Sequence, residues 1–373
     1  MFRPSLKSTW SLIALLVLSV ILFVISHRSY VTIKADYFEQ KVEAAQLMES
    51  FMETLKAEQQ KLGIPFDPIN DPNSTGLIGT PRTTITTDRG LLSEKQAALN
   101  PNLAAVFVEE FSRHGLKPGD RIAVSITGSN PAVNLALYAA ISVLKLEPAI
   151  VVSLSSASYG ANLEEYTWLD IESILRQKGL LSFGCSHASL GGKDDLGEGL
   201  SESGITALRD AMSRNKVKQI IGTSLEENVQ ARLDAYNSQL PAGKRFSLFV
   251  NIGRGLASVG SIPNANQIRE GMNPKLAEEI FEPEGVMMIL AREGVPVFSM
   301  QHPRRWIRNY KLDDGSGSIP KPGVGPSFSV KKHNVTVAAI CLAILVAAIV
   351  AVIFFDRQDR HFMANIVDPD EEL

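Results

Sequence analysis

The chain has 373 residues, of which 45% are hydrophobic and 21% are charged, a composition typical of folded proteins rather than disordered or collagen-like ones. Its 37 basic and 40 acidic side chains give a net charge of −3. That charge argues against a nucleic-acid partner, which requires a strongly basic surface. The hydrophobic residues are unevenly distributed, because two segments without any charged side chain, 8–26 and 334–355, lie near the two ends.

Both uncharged segments are long enough to cross a membrane as single helices. Residues 334–355 would extend roughly 33 Å at about 1.5 Å per residue, against about 30 Å for the hydrocarbon core. Residues 9–26 follow a short basic N-terminal tail, 1–8, which is typical of a signal anchor and also of a cleavable secretory signal. We interpret 9–26 as an uncleaved transmembrane signal anchor, because residues 24–26 supply only one small side chain for a cleavage site.

Two transmembrane helices would place the protein in the cell membrane with both ends on the same side. The acidic C-terminal tail, 356–373, then shares a side with the N-terminal tail, and the central residues lie on the opposite side. Basic residues flank the two segments equally on both sides, so their number does not determine the orientation. A short basic tail before the first apolar segment usually stays in the cytoplasm, and we therefore expect an extracytoplasmic central domain.

The part of the chain between the apolar segments begins with an amphipathic helix. Over residues 34–62 the apolar side chains, among them Val42 and Met48, recur at steps of three and four. We interpret this helix as a stalk that rises from the membrane, and its apolar stripe either packs on the domain or pairs with a second copy in a homo-oligomer. Segment 66–76 is rich in Asp, Asn, Pro and Gly, which favour tight turns, and we expect the α/β domain over 63–312.

Residues 121–154 carry the clearest supersecondary pattern. A strand at 121–126, a turn, a helix at 132–144 and a strand at 149–154 form a βαβ unit, which requires a parallel sheet covered by helices. Similar but weaker patterns predict a strand at 181–188, a helix at 225–240, and strands at 246–252 and 295–300. We predict an α/β fold, a three-layer domain with a mainly parallel sheet, flanked by an N-terminal and a C-terminal transmembrane helix. The Gly- and Pro-rich residues 313–333 would form a flexible tether to the second helix.

The turn after the first strand of this unit is a candidate ligand site, because ligands of parallel sheets lie at the carboxyl ends of the strands. The turn Thr127-Gly128-Ser129-Asn130 combines two hydroxyl groups, a close backbone approach and the start of a helix. A phosphate or carboxylate would fit there, but Ser129 or Asn130 could instead only cap the helix. Neither glycine-rich nucleotide motif is present. Ser129 is also a candidate nucleophile. The chain has no G-x-S-x-G sequence, however, and none of its histidines lies in a sequence pattern typical of a catalytic base.

Two other turns carry candidate residues. The glycine-rich segment 189–199 contains Asp194 and Asp195, which could act as acid and base, hold a divalent cation, or belong to a solvated turn. Arg254 lies between two glycines after the strand at 246–252, where it could bind a carboxylate through two hydrogen bonds or remain an exposed loop residue. The catalytic candidates are therefore Ser129, Asp194 and Asp195.

Two further groups of side chains could contact a ligand. Asp170 and its neighbour Trp168 could help to wall a pocket, although a tryptophan is more often a core residue. Arg304, Arg305, Arg308 and Lys311 are interleaved with Trp306 and Tyr310. These cations could bind lipid headgroups or an anionic polymer, or form a solvated basic strip that is partly offset by two aspartates, 313 and 314.

The sequence predicts no metal centre and no cofactor. It contains no HExxH, zinc-ligand, EF-hand or haem motif. Its two cysteines, Cys185 in the domain and Cys341 in the second apolar segment, can form neither a disulfide within the domain nor a cysteine metal cluster.

Several strings of the chain together resemble one protein family, and they occur in order between about residues 34 and 258. They are DPINDPNSTGLIG (67–79), ITTDRG (85–90), NPN (100–102), GD (119–120) leading to TGS (127–129), GAN (160–162), TWLD (167–170) and GG (191–192). The chain is similar to the poly-gamma-glutamate system proteins, bacterial membrane proteins associated with the synthesis or export of poly-γ-glutamate. Arg254 lies where the family pattern leads us to expect glycine, and the C-terminal span is not required of every relative.

The resemblance implies a pathway and a membrane location, but it assigns no catalytic residue. We expect an accessory protein of poly-γ-glutamate biosynthesis or export, whose domain binds the polymer, a glutamate-type precursor or the membrane proteins of the synthase. Polymer contacts would use Arg254, the turn at 127–130 and the strip at 304–308. The alternative is a hydrolase or transferase acting on the polymer's amide bonds, with Ser129 or the Asp194 and Asp195 pair as working groups.

Overall fold

The computed structural model of the chain describes most of its sequence. Helices, strands and loops are described for residues 8–276, 280–313 and 317–364, the last six of these by their backbone alone. Residues 1–7 of the predicted N-terminal tail, 1–8, therefore lie outside the described residues. Residues 365–373 of the predicted acidic tail, 356–373, also lie outside them.

Helices and strands alternate through most of the chain. The helices are α1 (Thr9–Arg28), α2 (Phe38–Lys61), α3 (Leu92–Ala97), α4 (Leu103–Arg113), α5 (Pro131–Leu144), α6 (Trp168–Gln177), α7 (Glu202–Arg214), α8 (Leu225–Asn237), α9 (Leu256–Val259), α10 (Ile262–Gln267), α11 (Val286–Arg292), α12 (Pro303–Asn309) and α13 (Val335–Ala364). The strands are β1 (Tyr30–Lys34), β2 (Thr86–Asp88), β3 (Arg121–Thr127), β4 (Glu147–Ser153), β5 (Ser156–Ala157), β6 (Asn162–Leu163), β7 (Tyr166–Thr167), β8 (Cys185–Ser189), β9 (Lys218–Gln219), β10 (Leu248–Ile252), β11 (Gly271–Asn273), β12 (Val297–Met300) and β13 (Ser329–His333).

The chain forms two compact units, residues 1–34 with 329–373 and residues 35–328. The larger unit contains a seven-stranded sheet with the order β11-β12-β10-β3-β4-β8-β9. Its neighbouring strands are parallel except for the edge pair of β11 and β12. The predicted α/β class and mainly parallel sheet are confirmed, and the predicted βαβ unit is β3, α5 and β4.

Apolar cores cover both faces of the sheet, because side chains alternate between the faces along each strand. Ile122 and Val124 of β3 belong to the core that includes residues of α2, α4 and α5. Ala123 of β3 and Val151 of β4 belong to the other core, which includes residues of α8 and α11. Both faces of the central strands are therefore closed to solvent, and their carboxyl ends are where side chains and loops can form a site.

Helix α2 is a packed helix of the domain rather than the stalk predicted over 34–62. Met48, Phe51 and Leu55 are fully buried, and the helix packs against α4 and α5. Lys41, which is 1% exposed, donates to Glu109 Oε2 at 2.6 Å and to the carbonyl oxygen of Ser327 at 3.1 Å. The apolar stripe is thus used within the chain, so it is not free to pair with a second copy in the predicted homo-oligomer.

The predicted flexible tether, 313–333, is largely held in place. Asn102 donates from Nδ2 to the carbonyl oxygen of Lys321 at 3.1 Å, and its Oδ1 accepts from the backbone N–H of Gly323 at 2.9 Å. Phe328 is 1% exposed, and the last five residues of the predicted tether, 329–333, form β13. The glycine and proline content of this segment predicted flexibility. Composition does not show that the side chain of a distant asparagine forms hydrogen bonds with the backbone of the segment. Residues 314–316 of this segment lie outside the described residues.

The smaller unit is a helical hairpin with a two-stranded ribbon. Helices α1 and α13 pack against one another, and β1 pairs antiparallel with β13. Segments Thr9–Arg28 and Val335–Gln358 are long and apolar enough to cross a membrane, by length and composition. They overlap the predicted spans 9–26 and 334–355, and many of their large apolar side chains are exposed.

Candidate functional site

Loops from four parallel strands meet at the carboxyl edge of the sheet. The loops follow β3, β4, β8 and β10, which are adjacent in the sheet. A Cβ atom at Gly191, which has φ +77°, would lie 2.4 Å from Ser155 Oγ, so only glycine allows the loop after β8 to approach the loop after β4 this closely. This edge gathers the predicted turn candidates Ser129, Asp195 and Arg254, and the structure shows which of their polar groups are already satisfied.

The turn Thr127-Gly128-Ser129-Asn130 connects β3 to α5 as predicted, but its polar groups form hydrogen bonds with β4 and the loop that follows it. The hydroxyl of Ser129 accepts from the backbone N–H of Ala157 at 2.9 Å, and the N–H of Gly128 donates to the carbonyl oxygen of Ser153 at 3.0 Å. The side chain of Asn130, the N-cap residue of α5, makes no capping hydrogen bond. The turn is therefore a brace between the loops after β3 and β4, and Ser129 has no histidine partner among the described residues.

Lys95 of α3 is the main component of this turn that the sequence analysis missed. Its Nζ donates to the carbonyl oxygen of Ser129 at 2.5 Å and to Asn130 Oδ1 at 2.7 Å. Lys95 is 7% exposed, and burial lowers its pKa to about 8, because a charged amine is poorly solvated there. Nothing in the local sequence marks Lys95, since it lies 34 residues before Ser129 on a short helix.

Asp194 and Asp195 do not form the predicted carboxylate pair. Asp195 is buried and forms an ion pair with Arg232 of α8, with Oδ2 2.9 Å from Nη2. Its Oδ1 also accepts from the hydroxyl groups of Ser153 at 3.1 Å and Ser189 at 2.7 Å. Asp194 is 38% exposed at its side chain and lies 3.9 Å from the ammonium group of Lys193. The two carboxylates therefore have different partners, and Asp195 links α8 to the strand ends instead of acting as an accessible acid or base.

The two remaining sequence candidates are also engaged in the structure. Asp170 lies in the first turn of α6, where it forms a capping box with Thr167 and an ion pair with Arg214 at 2.6 Å. It therefore stabilises a helix start instead of walling a pocket. Arg254 is exposed and donates from Nη2 to Asn266 Oδ1 at 2.7 Å, so it is oriented by a neutral partner and forms no ion pair within the part of the chain that the structure describes.

Helix α12, which follows the carboxyl end of β12, separates two concave surfaces. One has a volume of about 800 Å³ and includes Arg269 and Arg305 in its lining, and the other has a volume of about 620 Å³ and includes Arg304, Arg305 and Arg308. His302 and Arg305 belong to both. We call these two concave surfaces the arginine cleft. Its residues 304, 305 and 308 were predicted as a basic strip, whereas Arg269 was not singled out from the sequence.

The acidic side chains that line the arginine cleft are occupied by donors of the protein itself. Glu270 accepts from Trp306 Nε1 at 2.8 Å and from the backbone N–H of His302 at 3.1 Å. Glu94 accepts from the backbone N–H of Arg304 at 2.7 Å. Glu110 accepts from the hydroxyl of Tyr310, and burial together with this carboxylate raises the pKa of Tyr310, which keeps the donor protonated. The carboxylates therefore hold α12 in place, and in the described part of the chain none of them forms an ion pair with its arginines.

The guanidinium groups of the cleft are left without anionic partners. Arg269, Arg304, Arg305 and Arg308 are exposed, and among the described residues their side chains form no ion pair and no hydrogen bond. Trp306 and Ile307, between them in sequence, are buried and anchor the helix against Phe298, whose ring centroid lies 5.4 Å from that of Trp306. A buried apolar side of α12 thus supports an exposed cationic side that can accept an anionic ligand.

The described part of the chain contains no group of three or more His, Cys, Asp or Glu side chains that could hold a metal ion. The exposed guanidinium groups of the cleft can bind carboxylates and phosphates through hydrogen bonds assisted by charge.

No protein-family model matches the chain, and no curated protein matches it. Among solved structures, a crystal structure of an archaeal alanine:glyoxylate aminotransferase is similar at 12% sequence identity, over 83% of this chain and 68% of that chain, with a TM-score of 0.17. A similarity at this level carries no argument about fold or function.

Proposed function

We propose that this protein is a membrane-anchored accessory protein of poly-γ-glutamate biosynthesis or export, whose α/β domain binds the anionic polymer in the arginine cleft. The observation that carries the proposal is the set of exposed arginines that form no ion pair among the described residues and outnumber the carboxylates beside them, which accept hydrogen bonds from the protein itself. Several strings between residues 67 and 192 resemble the poly-gamma-glutamate system proteins, and this resemblance supports the choice of polymer.

The chemistry of the polymer matches the cleft. Each residue of poly-γ-glutamate carries one free α-carboxylate, so the polymer presents a regular row of planar anions, and a guanidinium group binds a carboxylate through two parallel hydrogen bonds. The whole chain has a net charge of only −3, so long-range attraction cannot select a polyanion and the contact has to be local. The arginine cleft supplies four such local cations along and beside one short helix.

Membrane anchoring would be provided by the helical hairpin of α1 and α13. The 20 residues of α1 extend about 30 Å, the thickness of a hydrocarbon core, and many of its large apolar side chains are exposed. Anchoring at the cell membrane with the domain on the extracytoplasmic side would position the arginine cleft where exported polymer emerges. Partner membrane proteins of the synthase would then deliver polymer to it.

The geometry favours binding over cleavage of the polymer. An amide hydrolase needs an activated nucleophile, whereas the hydroxyl of Ser129 accepts a backbone hydrogen bond and Asp195 is committed to Arg232. The alternative of a hydrolase or transferase therefore has no supporting contact at the turn candidates, while the unpaired arginines support recognition of carboxylates.

Binding can be tested with the full-length protein in phosphatidylcholine nanodiscs and fluorescently labelled poly-γ-glutamate of defined length. We expect Arg305→Gln/Arg308→Gln to weaken binding about tenfold or more at low salt, because two charge-assisted contacts are removed. The salt dependence of the dissociation constant should also become shallower. Fluorescence anisotropy provides the measurement.

The matched control is Arg209→Gln/Lys244→Gln, which removes the same charge from exposed positions outside the cleft. This control should bind the labelled polymer like the wild type, and polymer with amidated carboxylates should not bind at all. Equal affinities of the cleft variant and the wild type would refute the arginine cleft as the binding site.

A further inference from the structure

The second feature with unused surface is the ribbon of β1 and β13, which we call the juxtamembrane ribbon (residues 30–34 and 329–333). Its strands pair from Tyr30 opposite His333 to Lys34 opposite Ser329. The residues of β1 are exposed, and so are those of β13 apart from the half-buried Ser329. A single residue separates each strand from the neighbouring apolar helix.

The charge of this region has one sign. Segment 8–34 contains no acidic residue, and neither does segment 329–355. Arg28, Lys331 and Lys332 form no ion pair among the residues described for this chain. Three cations therefore cluster at one end of the helical hairpin, in two segments that carry no acidic side chain, which makes the region complementary to a negatively charged surface.

The ribbon also has an apolar face. Residues directly opposite one another in an antiparallel pair lie on the same face, and successive residues alternate. Ile33 is opposite Val330, and Val31 is opposite Lys332, so these four side chains share one face. Val31, Ile33 and Val330 are 38%, 43% and 46% exposed. An exposed face that combines branched apolar side chains with a lysine suits the boundary between acyl chains and headgroups.

The helix lengths determine where the ribbon lies if the hairpin spans a membrane. Helix α1 extends about 30 Å, so Arg28 reaches the end of the hydrocarbon core. At about 3.3 Å per residue, the first two residue pairs of the ribbon, from Tyr30 to Lys332, lie within about 7 Å of the helix ends. Tyr30, whose ring centroid is 4.6 Å from that of His333, is an aromatic residue at the depth where such residues are enriched.

We infer that the juxtamembrane ribbon is a binding surface for anionic phospholipid headgroups, held by Arg28, Lys331 and Lys332 while Val31, in the second residue pair, contacts the acyl boundary. This inference rests on the membrane anchoring in the proposed function and is independent of polymer binding. The ribbon directly continues the two apolar helices, so its exposed side chains lie beside the lipid headgroups if the helices span the membrane. Phospholipid is therefore the ligand that we infer for this surface.

The test measures which lipids contact the full-length protein in mixed vesicles. Electron paramagnetic resonance of spin-labelled phosphatidylglycerol and spin-labelled phosphatidylcholine gives their relative association with the protein. We expect a preference of about two- to fivefold for phosphatidylglycerol, since each cation near the surface attracts an anionic lipid. Arg28→Gln/Lys331→Gln/Lys332→Gln should reduce the ratio to about one.

The matched control is Lys117→Gln/Arg209→Gln/Lys244→Gln, which removes three exposed cations from the α/β domain and should leave the lipid preference unchanged. A ratio near one for the wild type, or an unchanged ratio in the ribbon variant, would overturn the inference. Alkaline extraction of membranes separates the possible failures. A protein that is released was never anchored, whereas a retained protein without lipid preference leaves anchoring and polymer binding intact and removes only the ribbon as a lipid site.

Discussion

Two groups of charged side chains occupy the carboxyl edge of the same sheet, and they differ in what the fold does with their charge. In the first, Asp195 and Arg232 are each 1% exposed at the side chain, paired with one another and bonded to the serines that end β4 and β8. In the second, the arginines of the arginine cleft are exposed and have no anionic partner among the described residues. A position at the edge of the sheet is therefore shared by both groups, and the proposed ligand site is distinguished by charge that is left without a counter-charge.

The difference follows from position in the sheet. Strands β4 and β8 lie inside the sheet, and α8 packs near their ends, so a charge there must be paired to be buried. Helix α12 follows β12, beside the edge strand β11, where solvent reaches one side of the helix. Arg305 and Arg308 can remain charged there at little cost, whereas Arg232 cannot.

The largest expected effect comes from breaking the buried pair. Asp195→Asn should lower the free energy of unfolding by about 3–5 kcal/mol, because it leaves the charge of Arg232 buried without a counter-charge. Urea unfolding of the full-length protein in detergent measures the loss. At temperatures where the variant is folded, polymer binding should equal that of the wild type.

Asp194→Asn is the matched control for this experiment. The residue is adjacent, its side chain is 38% exposed, and its φ of +53° is a conformation that asparagine tolerates well. Its substitution should change the free energy of unfolding by no more than about 0.5 kcal/mol. If both variants lose the same stability, or if Asp195→Asn is neutral, the contrast between the buried pair and the arginine cleft is wrong.

A second experiment sharpens the comparison through pH. The pKa of Lys95 is about 8 in the folded chain and about 10.4 when unfolded, so between these values the unfolded chain binds one more proton. The free energy of unfolding should therefore rise with pH by about 1.4 kcal/mol per unit in this window, and fall as pH drops towards 8. Lys95→Met should abolish this part of the dependence, measured by urea unfolding at pH 7.5, 8.5 and 9.5.

Lys117→Met, at an exposed position, is the control for the amine of Lys95 and should keep the wild-type pH dependence. Parallel stability curves for the wild type and Lys95→Met would show that Lys95 has an ordinary pKa. In that case the amine beside the turn at 127–130 would stay charged up to about pH 10, and its charge would be tolerated there as that of the arginine cleft is.

The smallest expected effect concerns Ser129. Ser129→Ala removes the acceptor for the backbone N–H of Ala157 and should cost about 1 kcal/mol of unfolding free energy. If Ser129 only braces the loops, purified wild type and variant should both leave the length of added poly-γ-glutamate unchanged, as measured by gel filtration. Ser182→Ala, at an exposed position, serves as the control for stability.

Cleavage of the polymer by the wild type, lost in Ser129→Ala and retained in Ser182→Ala, would reverse the conclusion. It would assign the working site to the turn and support the hydrolase alternative. The arginine cleft would then serve to position a substrate instead of retaining a product.

The sequence predicted those features that repeat locally. Strands β3 and β4 and helix α5 were predicted to within about two residues, because continuous apolar strands and a helical period are visible within a window of a dozen residues. The arginines at 304, 305 and 308 were also visible as a local cluster. Lys95 and Arg232 were not, because their partners lie 34 and 37 residues away and no local pattern joins them.

The sequence by itself determined the α/β class, the order of the central βαβ unit, two apolar segments of spanning length and a basic strip, since each depends on the spacing of neighbouring residues. Only the tertiary structure decided that α2 packs on the domain, that Asn102 holds the glycine-rich segment before Phe328, and that Asp195 is neutralised while Arg305 is not. The physical reason is that burial and counter-charge are properties of contacts between distant residues, and amphipathic spacing or glycine content cannot specify the partner that provides them.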